Sequence, residues 1–233
     1  MKIFITGANR GLGLALATFA AERGHTVIAG SRNGDKPKGE LTKLKERFPN
    51  QILILAIDVT DEQSVADAAK RVSMELASID VIINNAGVLL DRGVKIEDLD
   101  LSLFDQTMDV NLYGPIRIVK HFLPLLFQGS NQTIINISSD AGSITKAYGG
   151  DFSYGISKAA LNMFSKQIRQ YVAEKNIAVL AVHPGWIKTD MGGENATGSP
   201  QDTARNLLDI IEKKKNIDHD QFFIHHNGDE MPI

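Results

Sequence analysis

The chain has 233 residues, a formal net charge of -3 and no cysteine. Its length allows one ample domain over residues 1–233 with a sizeable core, and no break in composition marks a linker. Scattered Lys and Arg leave no basic stripe for nucleic acid, and without cysteine there is no disulfide framework, thiol nucleophile or sulfur-ligated zinc.

Lys2-Ile3-Phe4-Ile5-Thr6 reads as a short buried strand. It runs into Gly7-Ala8-Asn9-Arg10-Gly11-Leu12-Gly13, after which Leu14 to Arg23 has a helical pattern. Short β-branched runs then alternate with helical segments. Strands are expected at Thr26 to Gly30, Ile52 to Ile57, Val81 to Asn84, Thr133 to Ile137, Ala178 to Val182 and Phe222 to His225. Helices are expected at Gly39 to Phe48, Asp61 to Ala77, Leu101 to Leu126, Phe152 to Glu174 and Pro200 to Lys214, the third bent or broken by Pro115 and Pro124. This alternation predicts an α/β fold, a doubly wound parallel sheet of Rossmann-like type with helices on both faces. Gly192 to Pro200 reads as a mobile loop. Met1 leads into the first strand without a long apolar run, and no stretch approaches ~18 apolar residues, so neither secretion signal nor membrane span is visible and a cytoplasmic location is expected.

Strand, glycine turn and helix together make a phosphate cradle. Glycines let backbone approach a pyrophosphate, and the free N–H groups of the helix start face the anion with the positive end of the helix dipole. The alternative is a tight turn that needs positive φ. Later in the chain, Tyr154 and Lys158 stand four residues apart on a helix, one above the other. A free tyrosine ionises near ~10, and a fixed ammonium close by favours the phenolate and draws that value toward neutrality. A phenol tuned in this way can protonate a substrate oxygen. Taken alone, the pair is far more often a solvated helix face. His225 and His226 point to opposite faces if both lie in a strand, and no histidine has a histidine partner four residues away, so no metal site is expected. His183 is expected to pack beside the sheet.

Thr6-Gly7-x3-Gly11-x-Gly13, Asn84-Asn85-Ala86-Gly87, Asn111, Ser139, Tyr154-x3-Lys158 and Pro184-Gly185 occur in the order that marks the short-chain dehydrogenase/reductase family. The chain resembles that family over residues 6–185. The segment His183 to Gly193 is similar, more particularly, to the C-factor and Sniffer-type carbonyl reductase branch, although the chain closes on Pro232-Ile233 where that branch tends to close on proline-tryptophan.

The resemblance implies an oxidoreductase that reduces an aldehyde, ketone or quinone to an alcohol with a nicotinamide cofactor. Tyr154 would be the general acid and Ser139 the hydrogen-bond donor to the carbonyl oxygen. Lys158 would hold the nicotinamide ribose and lower the phenol's pKa, and Asn111 would support a water leading protons to the lysine. An Asn within a long helix can equally stabilise a bend. Ser139 stands fifteen residues before Tyr154, so the segment Ser143 to Ser153 carries a small insertion. By the same resemblance Gly7, Asn9, Arg10, Gly11, Leu12 and Gly13 cradle the cofactor. Asp58 and Val59 meet its adenine, unless Asp58 is a helix cap. Asn85, Ala86 and Gly87 lie along it, Pro184, Gly185, Ile187 and Thr189 line the nicotinamide, and Trp186 walls the substrate pocket or packs on the sheet edge.

The second strand ends in Ser31-Arg32 without the carboxylate that would hold free ribose hydroxyls, and Arg10 can approach from the other side, so NADP(H) is the expected cofactor. The partners expected are a small-molecule carbonyl substrate and a second copy of the chain, with no nucleic acid and no membrane. The dimer would form through the two long helices, because Leu123, Leu125, Leu126, Phe127, Met163 and Phe164 exceed what one sheet face covers. The alternative is an NADP-binding signalling or redox-sensing protein with little turnover, against which the presence of both Tyr154 and Lys158 stands. Reduction of a carbon-carbon double bond goes with a longer Tyr-to-Lys interval.

Overall fold

Ile3, Phe4 and Ile5 are fully buried, as a strand in the middle of a parallel sheet must be. A computed structural model describes residues 1–32, 34, 39–218 and 220–233. Among these residues lie β1 (Lys2–Thr6), β2 (Thr26–Ser31), β3 (Ile52–Ala56), β4 (Val81–Asn84), β5 (Thr133–Ile137), β6 (Ala178–His183) and β7 (Phe223–His225). They form one parallel sheet in the order β3-β2-β1-β4-β5-β6-β7. The helices are α1 (Gly11–Glu22), α2 (Glu40–Arg47), α3 (Glu62–Leu76), α4 (Leu101–Met108), α5 (Gly114–Leu126), α6 (Phe152–Tyr171) and α7 (Pro200–Ile211).

Side-chain alternation along β1 builds two cores, one on each face of the sheet. Ile3 and Ile5 pack with Leu16 of α1 and Leu207 and Leu208 of α7. Phe4 points the other way, joins Val65 of α3 and Ile118 of α5, and stacks on Phe122 with ring centres 4.2 Å apart. Strand order reverses between β1 and β4, and ligands of such sheets bind beyond the carboxyl ends of the strands at that switch.

Between α4 and α5 the helix widens into a π turn at Asp109–Tyr113. Pro115 has no N–H to offer the carbonyl of Asn111 four residues earlier, so the regular ladder cannot continue there. The helix is interrupted at this point, beside Pro115, whereas Pro124 lies within α5 without breaking it.

Two expectations about the surface fail. Leu123, Leu125 and Leu126 are buried within the chain, and Phe127 and Phe164 pack against the same core, because α5 is covered by α3 as well as by the sheet. Of the side chains that motivated a dimer, only Met163 is largely exposed. The Gly192 to Pro200 segment is tied down rather than loose. Gly198 donates to the carbonyl of Trp186 and accepts from Lys188, Ala196 is buried, and Ser199 caps α7.

Candidate active site

A cleft of about 830 Å³ opens at the carboxyl ends of the central strands. Its floor on one side is the turn between β1 and α1. Gly7 and Gly11 have φ of +65° and +54°, and a Cβ on them would press to 3.1 Å from Ala86 Cα and 3.3 Å from Thr189 Cγ2. Only glycine serves at both places. No side chain caps α1 and its first turn carries no carboxylate, so the amides at this helix start keep their positive field for an anion in the cleft. Asn9, Arg10 and Leu12 also line the cleft. Gly13 does not. A Cβ there would lie 2.2 Å from the Gly7 carbonyl, so its role is to let α1 pack against the turn.

The loop after β4 closes on this turn. Asn85 and Ala86 both donate their N–H to Thr6 Oγ1 at 3.0 Å, and Asn85 Nδ2 donates to the carbonyls of Thr6 and Gly7. Asn85, Ala86 and Gly87 thereby form the opposite wall. Ser31, Arg32, Asp58 and Val59 gather at the far end. Asp61 is the cap of α3, so the capping alternative for Asp58 fails. Burial works against the Asp58 carboxylate, but the Thr60 N–H and hydroxyl, with Arg32 and Arg117 beyond them, hold its pKa below the usual value. Arg10 does not point toward this end. It forms an ion pair with Asp190 at 2.5 Å, across the cleft from the glycine turn, with both side chains mostly exposed.

Helix α6 carries Tyr154 and Lys158 into the cleft. Its first turn is capped from outside the helix: Asp91, 1% exposed, accepts the Ser153 N–H at 2.8 Å. Lys158 is buried and donates to the carbonyl of Ile137 at 2.8 Å. Burial draws the lysine's pKa down to about 8. Tyr154 keeps some exposure along the cleft wall, yet the protein around it pushes the phenol up to about 12, with the Ser139 hydroxyl close by acting against that rise and Asp140 adding to it. The expectation of a phenol drawn toward neutrality is therefore corrected. Desolvation outweighs the lysine, whose ammonium is 5.5 Å from the ring centre and is bonded elsewhere.

Ser138 and Ser139 part company at the end of β5. Ser138 donates to Asn162 Oδ1 at 2.6 Å inside the protein, whereas Ser139 faces the cleft and donates to Asp140 Oδ1 at 3.0 Å. Asn111 is fully buried and does not line the cleft. Its side chain brackets Val88, accepting from the N–H and donating to the carbonyl at 2.9 Å each, and donates to Ser157 Oγ at 3.0 Å. It ties the β4 loop to α6 rather than stabilising its own helix. Pro184, Gly185, Ile187 and Thr189 line the last wall. The Pro184 carbonyl accepts from Thr203, and Thr189 Oγ1 accepts from Gly192.

His183 ends β6 at the cleft, where its Nδ1 accepts the Asp140 N–H and its ring lies 5.4 Å from that of His225 on the neighbouring strand. His225 and His226 do not diverge, because β7 stops at His225 and their rings approach to 4.2 Å. Trp186 is 52% exposed on the cleft rim and is not sheet packing. Sequence reasoning also missed Arg92, Asp140, Tyr148, Asp151 and Asp190 on the cleft wall. Each lies on a loop that follows the carboxyl end of β4, β5 or β6, which is the signal that marks such positions.

A model of the short chain dehydrogenase family matches residues 1–199. The chain belongs to the short-chain dehydrogenase family. Among solved structures, the NADPH-bound carbonyl reductase from chicken fatty liver is 31% identical, with a TM-score of 0.86 over 100% of this chain and 98% of that one. The carbonyl reductase Sniffer of D. melanogaster is 28% identical, with a TM-score of 0.91 over 100% and 99%. The NADPH-dependent pterin aldehyde reductase of Arabidopsis thaliana is 35% identical over 191 residues, 81% of this chain and 76% of that protein. Among the described residues of this family member, no helix is long and apolar enough to cross a membrane.

Proposed function

We propose that the protein reduces an aldehyde, ketone or quinone to an alcohol with NADPH. One observation carries the reading: the Tyr154 phenol, the Ser139 hydroxyl and the Lys158 ammonium converge on the cleft whose other end is an uncapped helix start behind a glycine turn. The donor set fits a dinucleotide. The turn offers close approach and free amides to a pyrophosphate, and Arg32, exposed at the tip of β2, offers a planar cation to a 2′-phosphate. When bound, NADPH supplies the hydride.

The chain's own residues supply the proton and the geometry. Tyr154, protonated at neutral pH, gives its proton to the carbonyl oxygen as charge develops there. Ser139 turns its hydroxyl from Asp140 to the same oxygen and stabilises it. Lys158, anchored on Ile137, keeps a positive charge beneath both and serves the ribose hydroxyls of the nicotinamide half. Asn111 is a positioning residue, since it fixes Val88 and Ser157 around the lysine. The reading is tested by following NADPH absorbance with a panel of aldehydes, ketones and quinones and identifying the alcohol formed. Consumption with none of them overturns it.

A further inference from the structure

Two adjacent carbonyls of the segment after β6 each hold one side chain at the cleft rim. Arg92 donates to the Met191 carbonyl at 2.7 Å, and the Trp186 indole N–H donates to the Gly192 carbonyl at 2.8 Å. The bond to Met191 is the one hydrogen bond of the Arg92 guanidinium among the described residues, and no carboxylate pairs with it there. A guanidinium has five N–H donors, so most of those on this exposed, cleft-lining residue are left without a protein partner.

The three carboxylates on the same wall each have partners, Asp190 through its ion pair with Arg10. Asp140 accepts from the Ser139 hydroxyl and the Ala141 N–H, both at 3.0 Å, and Asp151 accepts from the Tyr148 hydroxyl at 2.8 Å and the Gly93 N–H at 3.1 Å. Trp186 is about half exposed, and with its N–H tied it offers a held apolar ring. An open cation and a held flat ring are therefore tied to adjacent residues of one segment, and both line the cleft that contains Tyr154.

We infer that the substrate is a flat carbonyl compound bearing an acidic group, with the acid on Arg92 and the ring against Trp186. A carboxylate or similar group takes paired hydrogen bonds from the guanidinium fork, and these charge-assisted bonds are the strong ones. The inference rests on the carbonyl-reductase reading for the word carbonyl, but not for the recognition of the acid.

Trp186 is the only tryptophan, so its fluorescence reports directly on this rim. Titrations of 4-formylbenzoate and methyl 4-formylbenzoate, with and without NADP+, compare an acid with its neutral near-isostere. The acid should bind about ten- to a hundred-fold more tightly. Arg92→Gln should bring the two affinities together, and Arg92→Lys should retain part of the difference. Equal affinities in the parent, or a preference that survives Arg92→Gln, overturns the inference. A fluorescence readout keeps the two readings apart: binding of the acid through Arg92 without NADPH consumption on any carbonyl would contradict only the reductase reading.

Discussion

The Lys158 ammonium lies 5.5 Å from the centre of the Tyr154 ring, and its hydrogen bond goes to the Ile137 carbonyl instead. The two groups are neighbours with opposed shifts. Burial holds the lysine down to about 8 and the phenol up to about 12. Over the neutral range the tyrosine keeps its proton and the lysine is the group that titrates first.

This order fixes the alkaline side of the pH profile. Reduction needs Tyr154 protonated and Lys158 charged, so kcat/KM should fall as pH rises through about 8, the value of the lysine. NADPH affinity should weaken over the same interval, because the neutral amine loses its hold on the ribose hydroxyls. A kcat/KM profile that stays flat past pH ~10, the range of a free tyrosine, would show that Lys158 does not titrate in this way.

The same shift has a cost in stability. Lys158 is lowered from 10.5 to about 8 on folding, so the unfolded chain binds the extra proton between those values and stability rises with pH across that window. Below about 8 the full penalty for the buried charge is present. Lys158→Met should therefore melt higher than the parent at pH 7, by a few degrees for a gain of roughly 1–2 kcal/mol once the lost bond to Ile137 is set against it. The gap should narrow near pH 10. A lower melting temperature for the variant at pH 7 would contradict this.

Arg10 and Asp190 form an exposed pair of the kind worth only about 0–1 kcal/mol, which a ligand can break. Asp190→Asn should free the guanidinium for a 2′-phosphate and tighten NADPH a few-fold, with NADH little changed. Arg32→Asp should weaken NADPH by roughly ten- to a hundred-fold and improve NADH, since the new carboxylate repels phosphate and accepts from free ribose hydroxyls. Fluorescence titration of both cofactors decides the matter. If the parent holds NADH and NADPH equally, the arginines do not read the phosphate.

Asp91 holds the start of α6 from a different loop, and the formal cap position, Asp151, gives no side-chain bond to the helix. Asp91→Ala should lower stability by about 1–2 kcal/mol, as loss of a cap does, and reduce kcat through the disturbed Tyr154. Thermal melts and steady-state rates read both effects. Unchanged rates would mean that α6 holds its place without the cap.

The sheet was readable because its inner strands are buried on both faces and appear as unbroken apolar runs such as Ile82-Ile83 and Ile134-Ile135. The glycine turn and the Tyr154–Lys158 interval were readable for a similar reason, since both are local patterns. Contacts between distant segments were not. Arg10 meets Asp190 across 180 positions, and Asp91 caps Ser153 across 62. Periodicity could not tell that Leu123 and Leu125 are buried in the chain's own core, because an apolar stripe looks the same whatever covers it. The direction of the Tyr154 shift depended on how much protein surrounds the phenol, which spacing along one helix does not contain.

The most direct test of the account is Tyr154→Phe, which removes the transferable proton and keeps the ring. NADPH affinity should stay within a few-fold of the parent while kcat for carbonyl reduction falls by roughly 10²- to 10⁴-fold. A variant that turns over within a few-fold of the parent would show that the proton comes from elsewhere, and Tyr154 would then be a wall of the cleft and not its acid.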